Sequence, residues 1–118
     1  MKYFTFDELT ASHTARRLGI DNTPDETAVN NLYCLVSLVL DPARERFGQT
    51  IRVNSGYRCA ALNRAVGGVR NSFHLSGRAA DITAGSVEQN RRLFDILASL
   101  PHCELIWERG GEWIHVAV

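Results

Sequence analysis

The chain predicts an α+β domain in which N-terminal helices pack on a small, mainly antiparallel sheet. Three observations lead there. Helical periodicity dominates as far as Gly48, strand-like runs dominate from Ile51 onward, and the last two runs, "ELIWE" and "EWIHVAV", are joined by "RGG" in the manner of a hairpin.

The elements follow in order. "TFDE" at Thr5 to Glu8 reads as a capping box that opens a short helix. "TPDE" at Thr23 to Glu26 is a stronger start, with Thr23 as N-cap, Pro24 at the first helical position and Glu26 reaching back. Val29, Leu32, Val36, Val39, Ala43 and Phe47 then form the apolar stripe of the main core helix. Pro42 is expected to kink it, or Asp41 to restart it, and Gly48 to end it. "IRVNS" reads as a strand, "AALNRAV" as a short helix closed by Gly67 and Gly68, and "AADIT" as a second strand. "SVEQ" caps a helix through Leu93, Ile96, Leu97 and Leu100 before Pro101. Tyr33, Phe94 and Cys34 are expected in the core, and Trp107 and Trp113 in cross-strand packing, with one of them available to line a groove.

Composition bounds the function. A length of 118 residues, 45% hydrophobic and 22% charged, fits one soluble domain over 1–118 with a real core and no disulfide support. Zero net charge gives no reason to expect nucleic acid or membrane as partner, and a monomer is expected. The longest apolar run, "LVSLVL", is far too short to span a bilayer, and "MKYFTFDELT" lacks the pattern of a signal peptide, so cytoplasmic synthesis is expected. Twelve of the thirteen cations are arginine, and Arg46 to Ala80 holds six arginines and no acid. A site in that segment would sit in a positive field, unless the arginines form only a solvated face. Three cysteines without a CxxC pair indicate no disulfide framework; Cys59, in a turn, has no adjacent base to make it a nucleophile.

Chemistry concentrates in "NSFHLSGRAADI". His74 and Asp81 are separated mostly by small residues, as in a loop running close to a cation. His115 on the last strand is the expected third partner. Two histidines and one aspartate leave a tetrahedral position open to water, the arrangement of a catalytic zinc site. Zinc suits this mixed nitrogen and oxygen set better than magnesium or calcium, and it lowers the pKa of bound water from ~15.7 toward ~7. Glu112, three residues before His115, is the natural general base. In a regular strand these two side chains would face opposite ways, so the assignment needs an irregular start at Gly110 and Gly111; Glu104 and Glu108 are the rivals. His13 and His102 read as capping or solvent-facing residues.

With these residues assembled, the sequence resembles the M15 family of zinc D,D-peptidases, in its small branch of phage and bacterial cell-wall enzymes. The resemblance runs nearly the whole length and is carried by "VNSGYRCAALNRAVGG", "SFHLSGRAADI" and "ELIWERGGEWIHVAV". The SxHxxGxAxD pattern is complete as Ser72, His74, Gly77, Ala79 and Asp81, and ExxH as Glu112 and His115. The resemblance implies a hedgehog/D,D-peptidase-like fold, zinc held by His74, Asp81 and His115, and Glu112 activating water. It also implies that Arg58 stabilises the oxyanion or holds substrate, and that Ser72 contacts the substrate's backbone. Phe73 stands where the family often has a polar amide, and Glu104-Leu105-Ile106 where it often has "QLI"; both departures bear on substrate preference.

The expected activity is therefore zinc-dependent hydrolysis of peptide bonds in peptidoglycan stem peptides or cross-links, of carboxypeptidase or endopeptidase type. A prophage lysis product reaching the wall after holin-like release fits the missing signal peptide. The competing expectation is a non-catalytic zinc-containing peptidoglycan-binding or phage structural module of the same fold; retention of Glu112 favours the enzyme.

Overall fold

The computed structural model describes residues 1–118. Helix α1 (Phe6–Thr10) starts as the capping box requires, the Thr5 hydroxyl accepting the Glu8 N–H at 3.2 Å. Helix α2 (His13–Leu18) is capped in the same way by Ser12. Helix α3 (Glu26–Leu35) starts two positions later than its sequence signals. Thr23 is not its cap, because its hydroxyl and N–H are both taken by Asp21. The Asp25 carboxylate caps instead, accepting the Ala28 N–H at 2.8 Å.

Pro42 neither breaks nor restarts the long helix. A π turn over Val36–Leu40, in which the Asp41 N–H reaches back to the Val36 carbonyl, precedes helix α4 (Asp41–Phe47). The wider turn lies just where a proline ring would strike the carbonyl four residues back in a regular helix. Gly48, at φ 77°, ends α4. The expected stripe is buried at Leu32, Val36, Val39, Ala43 and Phe47. Tyr33 and Cys34 correct the expectation. Both are exposed, because they lie about 100° and 200° around the helix from Leu32 and so fall off the stripe. Tyr33 instead meets Phe6 edge-on.

Strands β1 (Arg52–Ser55), β2 (Ala79–Thr83), β3 (Glu104–Glu108) and β4 (Trp113–Ala117) form one sheet in the order β1-β2-β4-β3, every pair antiparallel. Helix α5 (Ala60–Ala65) follows β1, and helix α6 (Val87–Ala98), capped by Ser86, follows β2. Alternation along the strands sends Ala80, Ile82, Ile114 and Val116 into one core with Leu9, Leu32, Leu35, Leu40, Leu93 and Leu97. The opposite face of β2 and β4 is left for Asp81 and His115. The tryptophans divide between the faces in the same way: Trp107 packs edge-on against Phe94 of α6, and Trp113 lies with the polar side chains.

Gly77 sets the path from the loop into β2. It has φ 74°, and a Cβ there would stand 2.5 Å from the Ala28 carbonyl oxygen. Gly77→Ala is expected to destabilise the protein by about 2–4 kcal/mol, from left-handed strain plus overpacking. Chemical denaturation measures the loss, and an unchanged midpoint would show that α3 and this loop are not packed as described.

Candidate metal centre

The sheet register makes Asp81 and His115 direct cross-strand partners. Side chains so paired have Cβ atoms about 5 Å apart, so one cation can touch both. A bulge in β1 between Val53 and Ser55 brings Ser55 opposite Asp81 at this point. Bulges of this kind re-aim side chains beside functional sites.

His74 arrives from the loop side, in a 3₁₀ turn over Phe73–Ser76. The Ser72 hydroxyl starts that turn by accepting the His74 N–H at 3.1 Å, and Gly77 ends it. The imidazole is buried, and its Nδ1–H donates to the Gly56 carbonyl at 2.7 Å. A carbonyl can only accept, so Nδ1 carries the proton and Nε2 keeps a lone pair. That Nε2 lies 3.3 Å from Asp81 Oδ1, and His115 Nδ1 lies 3.0 Å from the same oxygen. One ligand atom from each of His74, Asp81 and His115 falls within a 4.8 Å span. The donor set fits a borderline metal such as zinc: two imidazole nitrogens and one carboxylate oxygen, with the far nitrogen of His74 held by a second oxygen.

Burial opposes ionisation of Asp81, but its close contacts with the His115 and His74 rings outweigh it and hold the carboxyl below its ordinary range. Burial likewise disfavours charge on His115, yet its bonds to Asp81 and Glu104 raise its pKa. The signs fix the behaviour of the metal-free chain. Ionised Asp81 contributes stability that is present above its ordinary pKa of 3.8 and is lost as pH falls toward its depressed value. The His115 contacts contribute stability that is complete below the ordinary pKa of 6.5 and is lost as pH rises through the raised value. Thermal melts in chelator should therefore peak between these limits; a melting temperature that keeps rising above neutral pH would contradict the pairing.

The three side chains sit in a cleft of about 560 Å³ whose walls include Arg58, Ser72, Phe73, Glu104, Ile106, Glu108 and Trp113. Arg58 is half-buried, and its Nε is shielded from solvent without a hydrogen-bond partner. Burial lowers its pKa, and the charge of Asp81 opposes that. Of the six arginines between Arg46 and Ala80, only Arg58 lines the cleft. Arg46 bonds Ser99, and Arg78 bonds the Val118 carbonyl and lies over Phe73. The cleft carries mixed charge, with Glu104 and Glu108 on the β3 side, in place of the locally positive field; Arg46, Arg52, Arg64 and Arg70 are exposed, as the alternative of a solvated face expects.

Glu112 is not brought into this group. It is exposed and absent from the cleft walls, although the turn at Arg109–Gly111 before it is irregular. Its backbone carbonyl accepts from Asn90 on α6, on the core side of the sheet. Glu112 precedes β4 in a helical conformation, φ −63° and ψ −36°, which ends the turn and leaves the residue exposed. Glu104 and Glu108 share the face of Ile106, the direct partner of His115. Glu104 Oε1 meets His115 Nε2 at 2.7 Å, and the Glu108 carboxylate is engaged by no other side chain. His13 is exposed, and His102 bonds the Leu100 carbonyl in its turn. The role of Gly56 left no trace in the sequence, because it acts through its backbone carbonyl; even spacing along β3 was the available signal for Glu104 and Glu108.

A family model described as Peptidase M15 matches residues 2–117 of the chain. No curated protein matches it.

Proposed function

The chain belongs to the peptidase M15 family, and from that membership we propose a zinc-dependent peptidase that cleaves peptide bonds in peptidoglycan stem peptides or cross-links. The observation that carries this reading is the convergence of His74, Asp81 and His115 within one cleft, with the far nitrogen of His74 committed to Gly56. Those three residues would hold the zinc ion, which when bound supplies Lewis acidity and lowers the pKa of coordinated water.

The chain's own groups do the rest. Arg58 lines the cleft and offers an always-charged guanidinium whose N–H groups can donate to a substrate oxygen. Placed in the cleft, the same cation opposes the negative charge that develops on the carbonyl oxygen during hydrolysis. Stem peptides carry carboxylates, which this charge also attracts. Ser72 lines the cleft and can meet the substrate backbone, although its hydroxyl already caps the turn bearing His74.

We assign the base to Glu108 in place of Glu112. A general base needs a carboxylate within reach of the attacking water, and Glu108 lines the cleft with its carboxylate free. Glu108 takes a proton from the water as its oxygen adds to the carbonyl carbon, and returns it to the amine as the C–N bond breaks. All of these groups come from one chain, so the reading works in a monomer and needs neither nucleic acid nor membrane. No helix is long and apolar enough to cross a membrane; action at the wall after a holin-like release completes the proposal.

Purified peptidoglycan incubated with the zinc-loaded protein tests it. New fragments, identified by mass spectrometry and absent with chelator, are expected. Binding to peptidoglycan with no new fragments would return the chain to the binding-module reading.

A further inference from the structure

We propose that Glu104 is a positioning residue that fixes the tautomer and orientation of His115 for metal binding. This rests on the reading of His74, Asp81 and His115 as a metal site. Glu104 is on β3, two residues before Ile106, the direct partner of His115. That diagonal separation across two antiparallel strands is about 7–8 Å between backbones, a gap a glutamate side chain closes. It does so here: Glu104 Oε1 lies 2.7 Å from His115 Nε2.

The chemistry of the two contacts selects one tautomer. His115 stands between two carboxylates that only accept, and when the ring keeps a single proton the shorter contact, 2.7 Å to Glu104 against 3.0 Å to Asp81, holds it on Nε2 and leaves Nδ1 to carry the lone pair. Nδ1 is the atom that lies 3.0 Å from Asp81 Oδ1, within the candidate ligand cluster. His74 has the opposite arrangement: Nδ1 is held by the Gly56 carbonyl and Nε2 points to Asp81. The two histidines therefore reach one point through different ring nitrogens, each with its other nitrogen anchored on an oxygen. The anchors differ in kind. Gly56 offers a neutral carbonyl that no side-chain substitution removes, whereas Glu104 offers a charged group that makes the attached imidazole a stronger donor to a cation. Glu104 is also the more exposed partner, at 39% of its side chain against 13% for His115, so its replacement should perturb the ligand without opening the core.

The test is zinc titration of the metal-free protein against a chromophoric chelator, for the native chain, Glu104→Gln and Glu104→Ala, with ¹⁵N NMR of the His115 ring. Glu104→Ala should weaken zinc binding by about 10–100-fold, the usual effect of losing such an outer partner. Glu104→Gln keeps an acceptor and should recover part of that loss. At a pH where the imidazole is neutral, the native ring should show protonated Nε2, and the preference should disappear in Glu104→Ala. Circular dichroism of the metal-free variants separates a lost positioning contact from a lost fold. Equal zinc affinity in all three proteins, or a native His115 whose neutral ring carries its proton on Nδ1, would overturn the role of Glu104 and leave the metal site standing. Failure of the native chain itself to bind zinc would overturn both.

Discussion

Asp81→Asn is expected to strip zinc from the chain and to take essentially all peptidase activity with it. Asp81 is where the two histidines meet: Nε2 of His74 and Nδ1 of His115 both approach its Oδ1. The change removes the one anionic ligand while keeping size and shape, so a cavity is not the cause of any loss. The fall in metal affinity should well exceed the about 10–100-fold expected from an outer partner such as Glu104. His74→Ala should abolish binding as well. That variant also leaves the Gly56 carbonyl without its donor and a void at a fully buried position, which costs about 2–4 kcal/mol. Elemental analysis beside a thermal melt separates the two effects. An Asp81→Asn protein that folds and keeps native zinc content would show that the ligand set is wrong.

Glu108→Gln should lower the turnover of peptidoglycan fragments by about 10²–10⁴-fold with zinc retained, the usual effect of removing a general base. Glu112→Gln should stay within a few-fold of the native rate, since Glu112 is exposed and outside the cleft walls. Measuring kcat for both variants beside their metal content decides between them. A large loss in Glu112→Gln with Glu108→Gln unaffected would return the base to Glu112, and would require the turn at Arg109–Gly111 to rearrange when substrate binds.

The strands, the helix caps at Thr5 and Ser86, and the three residues of the cation cluster were legible because each depends on local pattern. Alternation in "AADIT" and "WIHVA" already separates Asp81 and His115 from Ile82 and Ile114, and the structure divides them across the sheet in that way. What the sequence concealed depends on partners distant along the chain. Thr23 has the chemistry of a cap, but Asp21 claims it and Asp25 takes the place. Cys34 and Tyr33 are apolar enough for a core, yet the rotation of α3 turns them outward. The spacing of Glu112 to His115 matches a motif, but Glu112 falls in the helical turn before β4, whereas alternation along β3 puts Glu104 and Glu108 on the face of Ile106, the partner of His115. The arginine-rich stretch read either as a local field or as a solvated face, and only Arg58 of it lines the cleft.

Zinc content of the purified chain, followed through removal and return of the metal, is the most direct measurement. About one zinc per chain after dialysis is expected, with peptidoglycan cleavage lost in chelator and restored when zinc is added back. A folded chain that takes up no zinc on reconstitution, or that cleaves peptidoglycan equally well without it, would contradict a zinc peptidase built on His74, Asp81 and His115.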